Sequence, residues 1–222
     1  AQFQQNPECD FLVFQMERFL DEPDFSKNEI VVEQDKNRVL ESFIQLHGQW
    51  PITGPVYKTN FFKTICFHTN LVVFEDLEVA IKAIMQATDF KIYNTIDCYY
   101  RNDANYKEKY NSIQVKTKMM KCFVELLLSL VAVMQKNNEN QFQNKEIKAY
   151  FVNSYKTFFR FTILENSRAF QEDNKKIVHL LAAHGFLDSK TAFKFFFVDR
   201  VLLPFANIKG IGIARLIKKL YN

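Results

Sequence analysis

Apolar residues recur at three- and four-residue intervals over most of this chain, and that spacing predicts helices. Asn6-Pro7-Glu8 reads as a cap, a first-turn proline and a first-turn acid ahead of Phe11, Val13, Phe14, Phe19 and Leu20. A short helix is therefore expected until Pro23 stops it. Asp24 or Ser26 caps the next, whose stripe is Ile30, Val31, Val39, Leu40, Phe43, Ile44 and Leu46, with Glu33, Asp35, Lys36, Asn37 and Arg38 on the wet side. His47-Gly48 ends it, and residues 48–55 form a loop. Pro55 opens a third helix through Phe61, Phe62, Ile65 and Phe67, and a fourth covers about 75–88, the two making a hairpin around Thr69-Asn70. A strand over 65–74, where β-branched and apolar residues are dense, is the competing reading.

From 89 to 110 the pattern weakens. Tyr93, Ile96, Tyr99 and Tyr100 suggest one more short helix, followed by the polar stretch 101–106. The longest helix is expected over 112–136, apolar all round in its second half and so placed in the core. Four more follow at 145–164, 168–183, 189–203 and 209–221. Loops of about three to six residues join them, which favours antiparallel neighbours. His184-Gly185 and Asp188-Ser189 stand as helix stop and helix start in the expected order.

Composition sharpens this picture. Only 5 Gly and 5 Pro occur in 222 residues, fewer than a sheet with many tight turns consumes. The longest apolar run, 122–134, is broken by Glu125 and is shorter than the about 20 residues a bilayer requires. The first residues, Ala1-Gln2-Phe3-Gln4-Gln5, lack the basic start and apolar stretch of a secretory signal. Cys9, Cys66, Cys98 and Cys122 show no C-x-x-C and no His pair at zinc spacing, and each falls in an expected apolar helix. Buried free thiols in a reducing compartment, cytoplasm or nucleus, are the expectation.

The fold class expected from these elements is all-α, nine or ten helices in antiparallel hairpins. They would form one domain over 1–222, with a sub-boundary near 137–143 between an acidic part, 1–136, and a basic part, 144–222. The packing is either an irregular helical bundle or stacked hairpins. The wide apolar faces resemble those of HEAT, armadillo and MIF4G-like α-solenoids, at the level of architecture. That resemblance implies a scaffold for proteins or nucleic acids.

No catalytic residue, metal site or cofactor is expected. His179 and His184 are five apart and face different ways, with no acid at i+3 or i+4 of His179, and His47 and His68 lie at helix ends. Glu75, Asp76 and Glu78, like Glu172 and Asp173, are expected in the first turn of a helix, where acids complement the dipole. Glycine-rich phosphate loops and nucleophile elbows are missing from the sequence.

Charge is more informative. Residues 145–222 hold 14 Lys and Arg against 6 Asp and Glu, while residues 1–144 hold 15 against 19. The basic third is where an acidic partner would bind, unless the two parts attract each other or an acidic neighbouring subunit. Within it, Asn207-Ile-Lys-Gly-Ile-Gly-Ile-Ala-Arg-Leu-Ile-Lys-Lys-Leu220 resembles the second half of a helix-hairpin-helix motif. That resemblance implies a turn at Gly210 and Gly212 whose amides hold a nucleic-acid phosphate, with Lys209, Arg215, Lys218 and Lys219 adding charge. Lys194 and Arg200, interleaved with aromatics, extend the candidate surface, and Lys156-Thr-Phe-Phe-Arg160 has the same character. Phe195, Phe196 and Phe197 cannot all face inward from one helix, so a second surface is expected to bury some of them. The functional expectation is a non-enzymatic scaffold or adaptor subunit that binds protein partners within a larger assembly, with a nucleic-acid-binding module as the alternative.

Overall fold

The structure, a computed structural model, describes residues 2–26, 29–47, 50–51, 53–101, 111–137, 145–208 and 212–221. It divides into two compact units, Ala1–Val115 and Lys116–Asn222. The division follows charge: the first unit carries 11 Lys and Arg against 17 Asp and Glu, and the second 18 against 8, a net −6 and +10. The expected sub-boundary falls almost wholly on residues 138–144, which lie outside the described residues.

The first unit overturns the all-α and solenoid expectations. Its elements are α1 (Gln2–Gln5), β1 (Phe11–Phe19), α2 (Lys36–Ile44), β2 (Pro55–Tyr57), α3 (Thr59–Phe62), α4 (Glu75–Gln86) and β3 (Phe90–Arg101). The strands form one mixed sheet in the order β2-β1-β3. β1 pairs antiparallel with β2, Phe11 opposite Tyr57, and parallel with β3, Phe11 opposite Phe90 and Phe19 opposite Arg101. A parallel pair needs a long crossover, which the chain from α2 to α4 supplies, and α2 and α4 pack against each other.

The expected helix at 6–23 is β1 because its opening residues, Phe11, Leu12 and Val13, are all buried. A strand central to a sheet loses its period-two alternation there and no longer announces itself. Asn6 closes α1 rather than capping a new helix: its amide donates to the Gln2 carbonyl at 2.9 Å and to Tyr93 Oη at 2.9 Å. The expected helix near Tyr93 and Ile96 is β3, whose two buried residues, Ile92 and Ile96, are an even number apart and so share a face.

Three further boundaries move. α2 begins only at Lys36, where Asp35 caps it by accepting from the amides of Asn37 and Arg38. Ahead of it the chain runs extended beside β3, with the Ile30 amide donating to the Asn94 carbonyl at 2.9 Å, and Val31 is 98% exposed. The helix expected from Pro55 is instead β2 and the single turn α3, and residues 65–74 form neither helix nor strand. That irregular segment is held by a buried ion pair. Lys82 Nζ lies 2.7 Å from Glu78 Oε1 and 2.5 Å from the Cys66 carbonyl, while Glu78 Oε2 accepts from the His68 amide at 3.1 Å. Gly54 is closely packed in this unit: a Cβ there would sit 3.0 Å from the Phe14 carbonyl and 3.2 Å from Trp50 Cβ, so neighbouring atoms would have to shift to admit one.

The second unit is helical. Most of α5 (Ile113–Asn137) belongs to it, followed by α6 (Lys145–Phe158), α7 (Ser167–Ala183), α8 (Ser189–Phe197) and α9 (Ile213–Leu220). The expected helices at 112–136, 145–164, 168–183 and 189–203 correspond to α5–α8. α6 and α8 end alike, each widening into a π turn (Phe159–Ile163; Val198–Leu202) and then tightening into a 3₁₀ turn (Leu164–Asn166; Leu203–Phe205). π turns are uncommon and change which side chains face inward. Here the second places Asp199 inside, 1% exposed.

Candidate binding surfaces of the helical unit

The interior of the second unit is closed by a polar chain. Tyr155 Oη donates to Asn174 Oδ1 at 2.8 Å, Asn174 Nδ2 donates to Asp199 Oδ1 at 2.6 Å, and the Tyr155 and Tyr221 hydroxyls meet at 3.3 Å. Burial pushes the Asp199 carboxyl above its ordinary range, and burial with the neighbouring hydroxyl holds Tyr155 well above that of a tyrosine. These shifted groups are spent on one another inside the core. The Tyr221 ring stacks on Phe159 at 4.3 Å and on Phe195 at 4.9 Å, and Arg160 donates to its carbonyl at 2.8 Å. The last turn of the described chain is thereby tied to α6 and α8.

Phe195 belongs to this core, and Phe196 is half-buried, so the expected interface of three phenylalanines reduces to Phe197. Sequence reasoning missed its companion: Phe193, one helical turn earlier, is 73% exposed. Val201 and Phe205 continue the exposed row at four-residue intervals. In an α-helix such spacing drifts sideways, since one turn takes about 3.6 residues. The π turn at 198–202 is wider and partly offsets that drift. Lys190 and Arg200 are exposed beside the row, and Lys194 is half-buried.

α9 carries the second candidate surface. Gly212 caps it in the left-handed conformation, φ 68°, and its carbonyl accepts from the amides of Arg215 and Leu216. Arg215, Lys218 and Lys219 are exposed while Ile217 is buried, so the helix presents base outward. It packs on the π and 3₁₀ turns that follow α8. Lys209 and Gly210, also expected here, lie outside the described residues.

A third feature was not anticipated. Lys145, Lys148 and Lys156 line an open-sided groove of about 540 Å³ between α6 and the 184–191 segment, together with Ala149, Val152, Asn153, Gly185, Phe186, Leu187, Asp188 and Thr191. The helical period of α6 makes it legible afterwards: at about 100° per residue, positions 145, 148, 149, 152, 153 and 156 fall within roughly 140° of arc. Burial, reinforced by Lys194 and Arg160, lowers the affinity of Lys156 for its proton. Lys194, a sequence candidate, thus belongs electrostatically with the groove.

Cys9 is buried and its thiol lies 3.8 Å from Glu8 Oε1 and 3.7 Å from Asp89 Oδ2, the one trio of possible metal ligands gathered among the described residues. Burial and then the two carboxylates push that thiol up to about 11, so it is protonated and donates between them. Contrary to expectation, Cys66 and Cys98 are exposed and Cys98 lies in β3. Glu172 and Asp173 sit in the second turn of α7, not its first, paired with Lys175 and Lys176. Among the described residues no helix is long and apolar enough to cross a membrane. Neither a protein family, nor a curated protein, nor a solved structure matches this chain.

Proposed function

We propose that this protein is a non-enzymatic docking subunit whose helical unit holds an acidic protein partner along the outer side of α8. The observation that carries this reading is the exposed row Phe193, Phe197, Val201 and Phe205 with Lys190 and Arg200 beside it. An apolar centre with a charged rim is the anatomy of a protein interface, and aromatic side chains supply most of its affinity. The net +10 of the unit favours an acidic partner through steering and charge complementarity.

The second reading, nucleic acid along α9, is favoured by the glycine cap at Gly212 and the outward Arg215, Lys218 and Lys219. Salt separates the two, because phosphate binding weakens steeply as counterions are added and an apolar contact does not.

The test places a photo-crosslinking phenylalanine analogue at position 197 of the full chain in its native cells. The docking reading expects one dominant adduct with an acidic protein, reduced by more than about tenfold when Phe193→Ser is added. A control analogue at Val31, exposed in the other unit, gives no such adduct. Equal adducts at both positions refute the reading. In parallel, oligonucleotide binding with a steep salt slope that Arg215→Glu/Lys218→Glu/Lys219→Glu abolishes would put the nucleic-acid reading first.

A further inference from the structure

Beyond the docking row lies the lysine groove of α6, which the row does not need. Lysine side chains on a protein surface ordinarily find a carboxylate within reach or spread apart to lower their mutual repulsion. Here, among the described residues, Lys145, Lys148, Lys156 and Lys194 make no ion pair. They stay together nonetheless, and Lys156 is near enough to Lys194 and Arg160 for their charges to disfavour its own. The Lys148 ammonium sits over the backbone of Gly185, 3.9 Å from where a Cβ would stand.

One acid lines the groove, and it is already engaged. Asp188 caps α8, accepting from the Thr191 amide at 2.7 Å and from its hydroxyl at 3.0 Å. Those bonds hold its carboxyl below the usual range, leaving it a fixed charge at the rim. The remaining lining supplies an amide (Asn153) and an apolar side (Val152, Leu187). Concave volume, concentrated unpaired positive charge and a short apolar wall are what a small multiply charged ligand needs.

We propose that this groove is a binding site for a small polyphosphate-bearing anion, held by Lys145, Lys148 and Lys156. Lysine is a point-charge donor suited to phosphate oxygens. Three of them around one groove match an anion of two or more charges better than a single carboxylate. A volume of about 540 Å³ falls within the range of small-molecule sites. It therefore has room for a polyphosphate chain with or without a nucleoside attached, the apolar wall being where the nucleoside would lie.

The experiment is calorimetry of the full chain with inorganic tripolyphosphate and, separately, with ATP, at low ionic strength. The expected result is saturable one-to-one binding by at least one of them, weakened by about tenfold or more for each of Lys148→Gln and Lys156→Gln. Ala149→Phe, which fills the groove and leaves the charge unchanged, abolishes it. Lys176→Gln and Lys218→Gln, outside the groove, leave it unchanged within about twofold. Tighter binding of ATP than of tripolyphosphate assigns the apolar wall to a nucleoside, and equal binding confines the site to the phosphates. The proposal is overturned if neither ligand saturates, if the outside lysines matter as much as the inside ones, or if an oligoglutamate peptide binds as tightly as tripolyphosphate. Thermal melts of each variant separate loss of the groove from loss of the fold.

Discussion

Cys9 and Cys66 illustrate how one residue type divides by environment. The Cys9 thiol is buried and pushed up to about 11, whereas Cys66 and Cys98 face solvent. Because the thiolate is the reacting species, an alkylating probe near neutral pH is expected to label Cys66 and Cys98 in the folded chain, and Cys9 and Cys122 only after denaturation. Peptide mapping by mass spectrometry reads this directly. Asp199 carries the complementary acid case. Its folded pKa is raised by burial, so its contribution to stability is complete below the unfolded carboxylate value of about 3.9 and declines as pH rises through the folded value. Wild-type protein is therefore expected to lose stability relative to Asp199→Asn as pH is raised through that window. A stability gap that stayed constant with pH would rule this out.

The helices of the second unit were the most legible elements in the sequence. Each has a long 3.6-residue period, and the Asp188-Ser189 start and the Gly185 stop were correctly placed because their chemistry is local. What could not be read was anything set by a distant partner. β1 is a strand because Phe90 stacks on Phe11 at 4.7 Å and Tyr93 on Phe14 at 5.1 Å, and no window around residue 11 contains those rings. The candidate surface suffered similarly: Phe193 and the α6 lysines were visible as residues, but which of them stay exposed depends on the π turns and on how α6 meets the 184–191 segment. The polar chain joining these elements is testable. Tyr155→Phe leaves Asn174 Oδ1 without its donor in a fully buried place, and a loss of about 1–3 kcal/mol is expected in chemical denaturation.

At the scale of the whole molecule, two units of opposite charge share one chain, and the single tryptophan marks one of them. Trp50 is buried against Phe43 at 4.5 Å in the first unit, so its fluorescence follows the sheet-bearing half while far-UV ellipticity is dominated by helices. Lys82→Met removes the cation of the buried Glu78 ion pair, at a cost of about 3–5 kcal/mol. The midpoint seen by Trp50 is expected to fall further than the midpoint seen by ellipticity, whereas Tyr155→Phe should reverse that order. Equal shifts by both probes would mean that the chain unfolds as one cooperative body.

The parallel pairing of β1 with β3 also has a consequence for how the protein is made. The ribosome completes β1, with its run Phe11-Leu12-Val13-Phe14, long before β3 is synthesised. Until then the strand has only the three-residue β2 to pair with, and its other edge stays open. Pairings so distant in sequence close slowly, because the loop entropy is lost before any contact forms. The nascent chain therefore carries an unpaired aromatic strand through the synthesis of some seventy residues. That is the interval in which a chaperone would be needed to keep two copies from joining edge to edge.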